Sequence, residues 1–574
     1  MAMMAVACAL IPSLQLAAAF SAVPTRLMMQ TQPQPQPSAS PTPSVTTTDV
    51  VVIGSGIGGL SAGGMAAAYG LKTTVLESHY LPGGVAHSFN IEGYQFDAGP
   101  SLWAGVAESS TNPLRQVLDI TGVADDLTWV EYTGWQMLVP NEDFRFTVGQ
   151  TAFEDVIREL GGEGELETWH NIKEKVRPLL RAAVSIPSLA LRGDAWGALL
   201  LAPFLVQALL LAGPTVQSLQ VRGAFTSVSE GVVPKGTFLE RWFDYLAFAL
   251  SGLPADSTMA AAVIYTMGDL HRPGAALHYP IGGGGAVIDA MCRGIESHGG
   301  EVRLKSHVEE ILVEDGRAVG VRLRNGSEVR ASTAVISNAS VWDTMKLLPK
   351  DSVPDSWLQE CESTPAVGSF MHLHLGIDAA GLEGKLDIHY STLEGWGDDM
   401  EIDAPENMCI VSIPTVLDPS LAPQGKHLVH IYTAGNEPYE VWEDLKRGSP
   451  EYQQLKERRA EVMWRGLERI IPDIRSRVEV ELCGSPLTHE FFNRRFKGSY
   501  GPLIRAGEGE FPGPTTPLPG LLRCGDSCLP GLGLGPAAAS GMFAANTIVP
   551  VHKHFGLLWE ANQKGWLQNQ FKGF

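Results

Sequence analysis

The sequence predicts an α/β fold in which a parallel sheet holding a dinucleotide is interleaved with a second, α+β domain. Three observations carry this expectation. Asp49-Val-Val-Val-Ile53 is apolar and β-branched, as a buried parallel strand requires. It runs directly into Gly54-Ser-Gly56-Ile-Gly-Gly59, and a second strand from Lys72 to Leu76 ends at Glu77. Far downstream, Leu521-Leu-Arg-Cys-Gly-Asp526 reads as another buried strand, followed by a glycine loop and a helix of small residues.

Each part of the first stretch has a physical task. Gly54 permits the tight turn, Gly56 lets the backbone approach a pyrophosphate, and Gly59 lets helix and strand pack closely. Leu60 to Tyr69, small and apolar, is the helix whose N-terminus receives the anion. Glu77 stands about twenty residues past the fingerprint, where an acid can hold a ribose hydroxyl. This is a Rossmann-like arrangement, and on these residues alone the dinucleotide is either NAD or FAD.

Composition bounds the rest. A chain of 574 residues exceeds a single simple core, so at least two intertwined domains are expected. The formal net charge of −21 excludes the basic footprint that nucleic acid requires, and it offers no polybasic attraction to anionic lipid. Seven cysteines, with no C-x-x-C pair among them, do not form a disulfide framework. Residues 1–48 read as a processed leader and linker outside the fold. An apolar run from Ala2 to Ala19 precedes Gln-Pro repeats and a Ser/Pro/Thr tract, and Arg26 is the sole charge. Leu16-Ala-Ala-Ala-Phe-Ser-Ala-Val-Pro24 resembles the bipartite presequence that directs proteins into the complex plastids of algae, a secretory signal being its rival.

Along the chain, Pro82-Gly83-Gly84 and Tyr94-Gln-Phe-Asp97-Ala-Gly99-Pro100 mark two tight turns, suited to a long cofactor lying across several loops. His79 and His87 are read as loop residues without chemistry. Pro113 to Val130 and Ala152 to Ile186 suggest amphipathic helices. Ala195 to Gly213 is almost free of polar residues but is interrupted by Pro203 and Gln207. It reads as a buried helix pair or a monotopic patch flanked by Arg181, Arg192 and Arg222, rather than a membrane span. Four glycines, Gly282 to Gly285, precede a helix from Ala286 to Ser297. Strands are expected at Glu301–Leu304, His307–Glu314, Ala318–Leu323, Glu328–Arg330 and Ala334–Asn338. His372 and His374 alternate on a strand and could ligate a metal. With no third ligand visible, partial exposure is the expectation, and no metal site is assigned.

The C-terminal signature decides the cofactor. An aspartate at Asp526 can accept hydrogen bonds from a ribityl chain, and the helix after Gly531-Leu-Gly533-Leu-Gly535 can point its N-terminus at flavin or phosphates. A second contact so far along the chain suits FAD. Together the three stretches resemble the phytoene desaturase and carotenoid isomerase family of flavoproteins, and Leu81-Pro-Gly-Gly-Val-Ala-His87 and Phe96-Asp-Ala-Gly-Pro-Ser101 are similar to its carotenoid isomerase-like branch. The resemblance implies an amine-oxidase/GDI-like two-domain architecture. It implies FAD contacts at Gly54, Gly56, Gly59, Glu77, Gly83, Gly84, Val308, Asp526, Gly531, Gly533 and Gly535. The FAD-binding domain is expected at residues 49–112, 270–345 and 515–574, and the substrate domain at 113–269, with its membrane contact, and 346–514. The implied activity is a reaction on a lipophilic carotenoid or xanthophyll polyene in a plastid, using reduced FAD. Isomerisation or hydration is expected first, desaturation or saturation second. A non-catalytic prenyl-escort protein and an amine oxidase are the more distant readings. No acid or base is singled out by spacing, so the catalytic residues are left unassigned.

Overall fold

The computed structural model describes residues 43–212, 222–397 and 400–567, so the presequence reading lies almost wholly outside the described residues. The central strand β1 (Val45–Ile53) begins four residues earlier than expected. Val45 to Thr48 pair in register with Glu328 to Ala331, and Thr48 Oγ1 donates to Lys72 O at 2.7 Å. Three consecutive β-branched threonines extend the strand, which assigns residues 45–48 to the fold and not to the linker. On one side of β1 lie β2 (Thr73–Leu76) and β9 (Glu301–Arg303), and on the other β12 (Glu328–Ser337), all parallel. The far edge of β12 is shared. Its second half carries parallel β18 (Leu521–Arg523), and its first half carries antiparallel β11 (Arg317–Leu323), followed by β10 (Val308–Glu314). The sequence suggested two strands where β12 runs as one: no Gly or Pro interrupts Ala331-Ser-Thr-Ala334, and β1 pairs with it on both sides of a bulge at that stretch.

Close packing of helices onto this sheet is permitted by missing side chains. Against α1 (Ile57–Ala68), Gly541 lets the helix Leu534–Ile548 come so near that a Cβ there would lie 2.3 Å from Gly58 O. Gly63 and Gly64 admit Ile295 of the helix Gly283–Ser297. That helix starts earlier than expected, with Gly284 N donating to the buried carboxylate of Asp97 at 2.9 Å. Ser88 Oγ and Tyr279 Oη also donate to Asp97, at 2.6 and 2.8 Å. The glycine run therefore serves an internal carboxylate, which burial pushes upward in pKa.

The second sheet has seven strands in the order β17 (Val478–Gly484), β13 (His372–Asp378), β16 (Lys426–Thr433), β15 (Met408–Ser412), β14 (His389–Leu393), β6 (Gly134–Leu138) and β7 (Phe144–Thr147). One face, carrying Leu373, Leu375, Val411, Val429 and Ile431, packs into a core with Met463 and Leu467 of the helix Pro450–Ile470. Two antiparallel pairs complete the strands: the hairpin β3 (Ser88–Ile91) with β4 (Tyr94–Asp97), and the long-range pair β5 (Trp129–Tyr132) with β8 (Leu277–Pro280). Helices α2 (Pro113–Thr121), capped by Asn112, and α3 (Glu154–Ala183), broken at Gly162, lie between. The apolar stretch forms one helix, α4 (Trp196–Ala212), with Pro203 inside it. It is not a buried helix pair, because Trp196, Leu199, Leu205, Val206 and Leu210 are exposed.

Candidate active site

The first intrahelical bond of α1 runs from Leu60 N to Gly56 O, at 2.9 Å. The amides of the helix's first turn are thus without helical partners. Gly54, Gly56, Ile57 and Gly58 line a cavity of about 1150 Å³. Gly54 takes a φ of 90°, which only glycine adopts freely. Gly59 does not line the cavity: a Cβ there would sit 2.0 Å from Gly54 O, so its task is packing. Gly58 is equally constrained, its Cβ position lying 2.8 Å from Gly525 Cα and 2.6 Å from Asn338 Oδ1. The Asn338 amide stands among Gly54, Gly56, Gly58 and Gly525, a role that spacing in the sequence does not reveal.

Glu77 closes this end. Its Oε2 accepts from Ser55 N at 2.9 Å and Ser55 Oγ at 2.7 Å, and its Oε1 accepts from His79 N at 2.7 Å. It borders the cavity beside Val308. The Gly83–Gly84 loop approaches so closely that a Cβ on Gly84 would lie 3.0 Å from Gly56 Cα. His87 Nδ1 donates to Gly84 O at 2.7 Å and holds that loop. Asp526 also borders the cavity, paired through Oδ2 with Arg495 Nη1 at 2.5 Å. Arg495 in turn donates to the main chain of Ser499 and Tyr500. Gly533 caps the helix Leu534–Ile548, and Gly535 lies in that helix's first turn at the cavity wall. Gly531 does not reach the cavity. A Cβ there would meet the Phe511 ring at 2.8 Å, so the glycine makes room for an aromatic side chain.

Two long helices therefore end their N-termini on one space whose near walls lack Cβ atoms, with a carboxylate at the tip of β2. This donor set fits the diphosphate and ribose of a dinucleotide. The same cavity is also lined by Trp103, Val106, Leu246, Leu250, Leu270 and Leu277, and its lining is mostly apolar.

Residues 57–549 match the family model described as flavin containing amine oxidoreductase. The chain belongs to that family. Prolycopene isomerase 2, chloroplastic, of an Oncidium hybrid cultivar is 33% identical over 518 residues, covering 87% of this chain and 83% of the relative. The prolycopene isomerase of Arabidopsis thaliana is 32% identical, with 87% and 82% covered. The neurosporene-forming phytoene desaturase of Rhodobacter capsulatus is 27% identical, with 87% and 93% covered. Among solved structures, putrescine oxidase superposes with a TM-score of 0.58 at 15% identity, covering 87% of this chain and 98% of that one. An oxidoreductase of Methanosarcina mazei gives 0.56 at 19% identity, covering 86% and 99%. The chain is an FAD-dependent enzyme of the flavin carotenoid isomerase and desaturase group, and FAD is its cofactor.

Within this flavoenzyme the histidines depart from expectation. His372 and His374 are buried, not partly exposed, and the sheet register supplies a third imidazole, His430, directly opposite His374. Nitrogens of the three lie within 4.8 Å of one another, a set that could hold a metal. As arranged, though, the rings are stacked, and His372 Nδ1 and His430 Nε2 share a hydrogen bond of 2.7 Å. Two nitrogens on one tetrahedral zinc, each about 2.0–2.1 Å from it, would stand about 3.3 Å apart. His374 Nε2 donates to Asp97 O at 3.1 Å. Burial holds all three pKa values low, that of His374 at about 4, so the rings are neutral at pH 7. His389, on β14 at the cavity wall, is a further buried imidazole that the sequence did not single out, held at about 3 by burial.

Proposed function

We propose that this protein is a plastid FAD enzyme acting on the polyene of a carotenoid or xanthophyll in a net non-redox reaction. The reaction is cis–trans isomerisation, or hydration of an unsaturated bond, with the flavin reduced. The supporting observation is that one cavity is lined both by Gly56 and Glu77 and by the apolar side chains of Trp103, Leu246, Leu250, Leu270 and Leu277. Identity with the prolycopene isomerases over most of the chain favours the net non-redox reading. What reduced FAD supplies in such a site is electron density or a proton that a polyene carbon takes up and returns. The chain's own part is to bind and orient. Trp103, Leu246, Leu250 and Leu270 hold an extended apolar ligand and keep water out, while the Gly83–Gly84 loop and Asp526 fix the cofactor end. Likeness to a bacterial phytoene desaturase supports a second reading, net electron transfer in a desaturase or saturase.

Such a substrate dissolves in lipid, and contact with one membrane leaflet is part of the proposal. α4 exposes Leu199 at 63% and Leu210 at 79%. The helix Val551–Gln563, which exposes Phe555 and Trp559, begins beside the start of α4. Arg192 Nη2 donates to Val549 O at 3.1 Å, and Gly193 N to Thr547 Oγ1 at 2.8 Å. Among the described residues no helix is long and apolar enough to cross a membrane. The chloroplastic relatives and the leader favour the plastid.

The test is anaerobic incubation of pigment extract with the protein and dithionite-reduced FAD, followed by chromatography and mass spectrometry. A product of unchanged mass without net flavin oxidation is expected for isomerisation, and the gain of one water for hydration. A change of two hydrogens with matching flavin turnover would overturn the non-redox reading.

A further inference from the structure

The cavity wall carries three lysine and arginine side chains, Lys346, Arg494 and Arg495, against five carboxylates: Glu77, Asp269, Asp343, Glu490 and Asp526. The diphosphate of a bound dinucleotide adds more negative charge to that wall. Two of the three cations are already neutralised. Lys346 Nζ pairs with Asp343 Oδ1 at 3.1 Å, and Arg495 Nη1 with Asp526 Oδ2 at 2.5 Å. Arg494 makes no ion pair among the described residues, and its guanidinium lies over the Phe491 ring, 5.4 Å from the centroid.

The fold places this arginine beside Glu77. Arg494 ends the helix Pro486–Asn493, which follows β17 of the second sheet. Phe492 of that helix meets the His79 ring edge-on, with centroids 6.0 Å apart. Glu77 O accepts from Ser306 N at 2.7 Å, which brings His307 to the same place, and Glu77, Ser306, His307 and Arg494 all line the cavity. Burial lowers the pKa of His79 and of His307, and the charge of Arg494 lowers both further, as its nearness requires. The backbone of Arg494 is left-handed, with φ 52° and ψ 36°, a conformation that costs a residue with a Cβ and that glycine adopts freely. At a helix C-terminus this place usually falls to glycine. An arginine held there against that cost points to a task for its side chain.

We propose that Arg494 is the cation that binds the diphosphate of FAD, reaching it from the second sheet while the first-turn amides of α1 receive it from the first. A guanidinium can bond two phosphate oxygens at once and keep its face on an aromatic ring, as Arg494 does on Phe491. The left-handed turn gives the two neighbouring arginines separate tasks, Arg495 at Asp526 and Arg494 beside Glu77. The assignment concerns the cofactor alone and stands whichever polyene reaction the enzyme performs.

The experiment titrates the full-chain apoprotein with FAD, read by flavin fluorescence quenching, and displaces FAD with ADP or with adenosine, its uncharged counterpart. Arg494→Gly removes the cation and relieves the left-handed strain, so its apoprotein is expected to melt no lower than the parent. FAD and ADP bind about tenfold or more weakly to it, while adenosine changes by less than about twofold. Salt weakens FAD binding by the parent more than by the variant, because the variant lacks the charge that salt screens. Arg494→Lys, which keeps a charge but not the planar fork, falls between the two. An Arg494→Gly protein that binds FAD within about twofold of the parent overturns the assignment. So does one that loses ADP and adenosine alike and melts lower, since that pattern belongs to a structural role.

Discussion

Replacing Gly58 by alanine probes the cofactor crevice at a position the glycine fingerprint leaves free. The new methyl would stand 2.8 Å from both Cα and N of Gly525 and 2.6 Å from Asn338 Oδ1. Carbon atoms in contact sit about 3.5–4.0 Å apart, so α1 must retreat from the β18 turn by roughly 0.7 Å or more. Retreat is opposed from the other side, where Gly541 of the C-terminal helix packs on Gly58 O. Overpacking of this kind costs about 1–3 kcal/mol. If the strain falls on the holo form, FAD affinity drops roughly 5- to 150-fold. Gly64→Ala is the control, since its methyl is tight only against the side chain of Thr121, at 3.0 Å, with Ile295 and Val117 at ordinary contact distance. Titration with FAD, read by flavin fluorescence quenching, measures the affinity, and melting of the apoprotein measures the part of the strain paid without cofactor. A Gly58→Ala protein that binds FAD within about twofold of the parent and melts at the same temperature would refute the close approach of α1 and Gly525.

Glu77→Gln turns an acceptor-only group that faces four donors into one that presents an amide donor to Ser55, Ser78 or His79. One mismatched buried donor costs about 1–3 kcal/mol, so both apoprotein stability and FAD affinity fall, and calorimetry showing neither would refute the geometry. Acid destabilises the fold through its buried neutral histidines. Burial depresses His271 and His389 to about 3 and His374 to about 4, so the unfolded chain binds protons that the folded one refuses. Their contribution is complete above pH ~6.5 and is lost on the way down to about 4 for His374 and about 3 for His271 and His389, by at most about 1.4 kcal/mol per group per pH unit. The melting temperature therefore falls steeply below pH 6.5, and a flat profile between pH 7 and 5 would contradict their burial. Leu199→Ser combined with Leu210→Ser removes two exposed leucines from α4. Each leucine fully buried in lipid contributes about 1.5–3 kcal/mol, so flotation with galactolipid vesicles drops tenfold or more, and undiminished flotation would exclude α4 as the contact.

How far this fold and site were legible depends on how local each signal is. From Asp49 to Glu77 the strand, turn, helix and terminal acid follow one another directly, and short-range chemistry suffices to place them. The third imidazole is another matter. His372 and His430 are 58 positions apart, and only the order β13–β16–β15 and its register set them face to face. Glycine is ambiguous for a related reason: in a loop it reports that a Cβ is unwelcome but not what refuses it. Gly533 and Gly535 stand at the cavity, whereas Gly531, two residues from Gly533, accommodates Phe511. Asn338 closed a strand as one more small polar residue until the glycines of two distant turns were seen to enclose its amide. α4 gives the sharpest contrast. A helix apolar on every side is the usual mark of a buried element, yet this one leaves Leu199, Val206 and Leu210 in the open. Hydropathy reports that such a surface avoids water, but what covers it is decided by tertiary packing. Among the described residues the packing leaves these side chains uncovered, and the leaflet contact proposed above rests on that exposure.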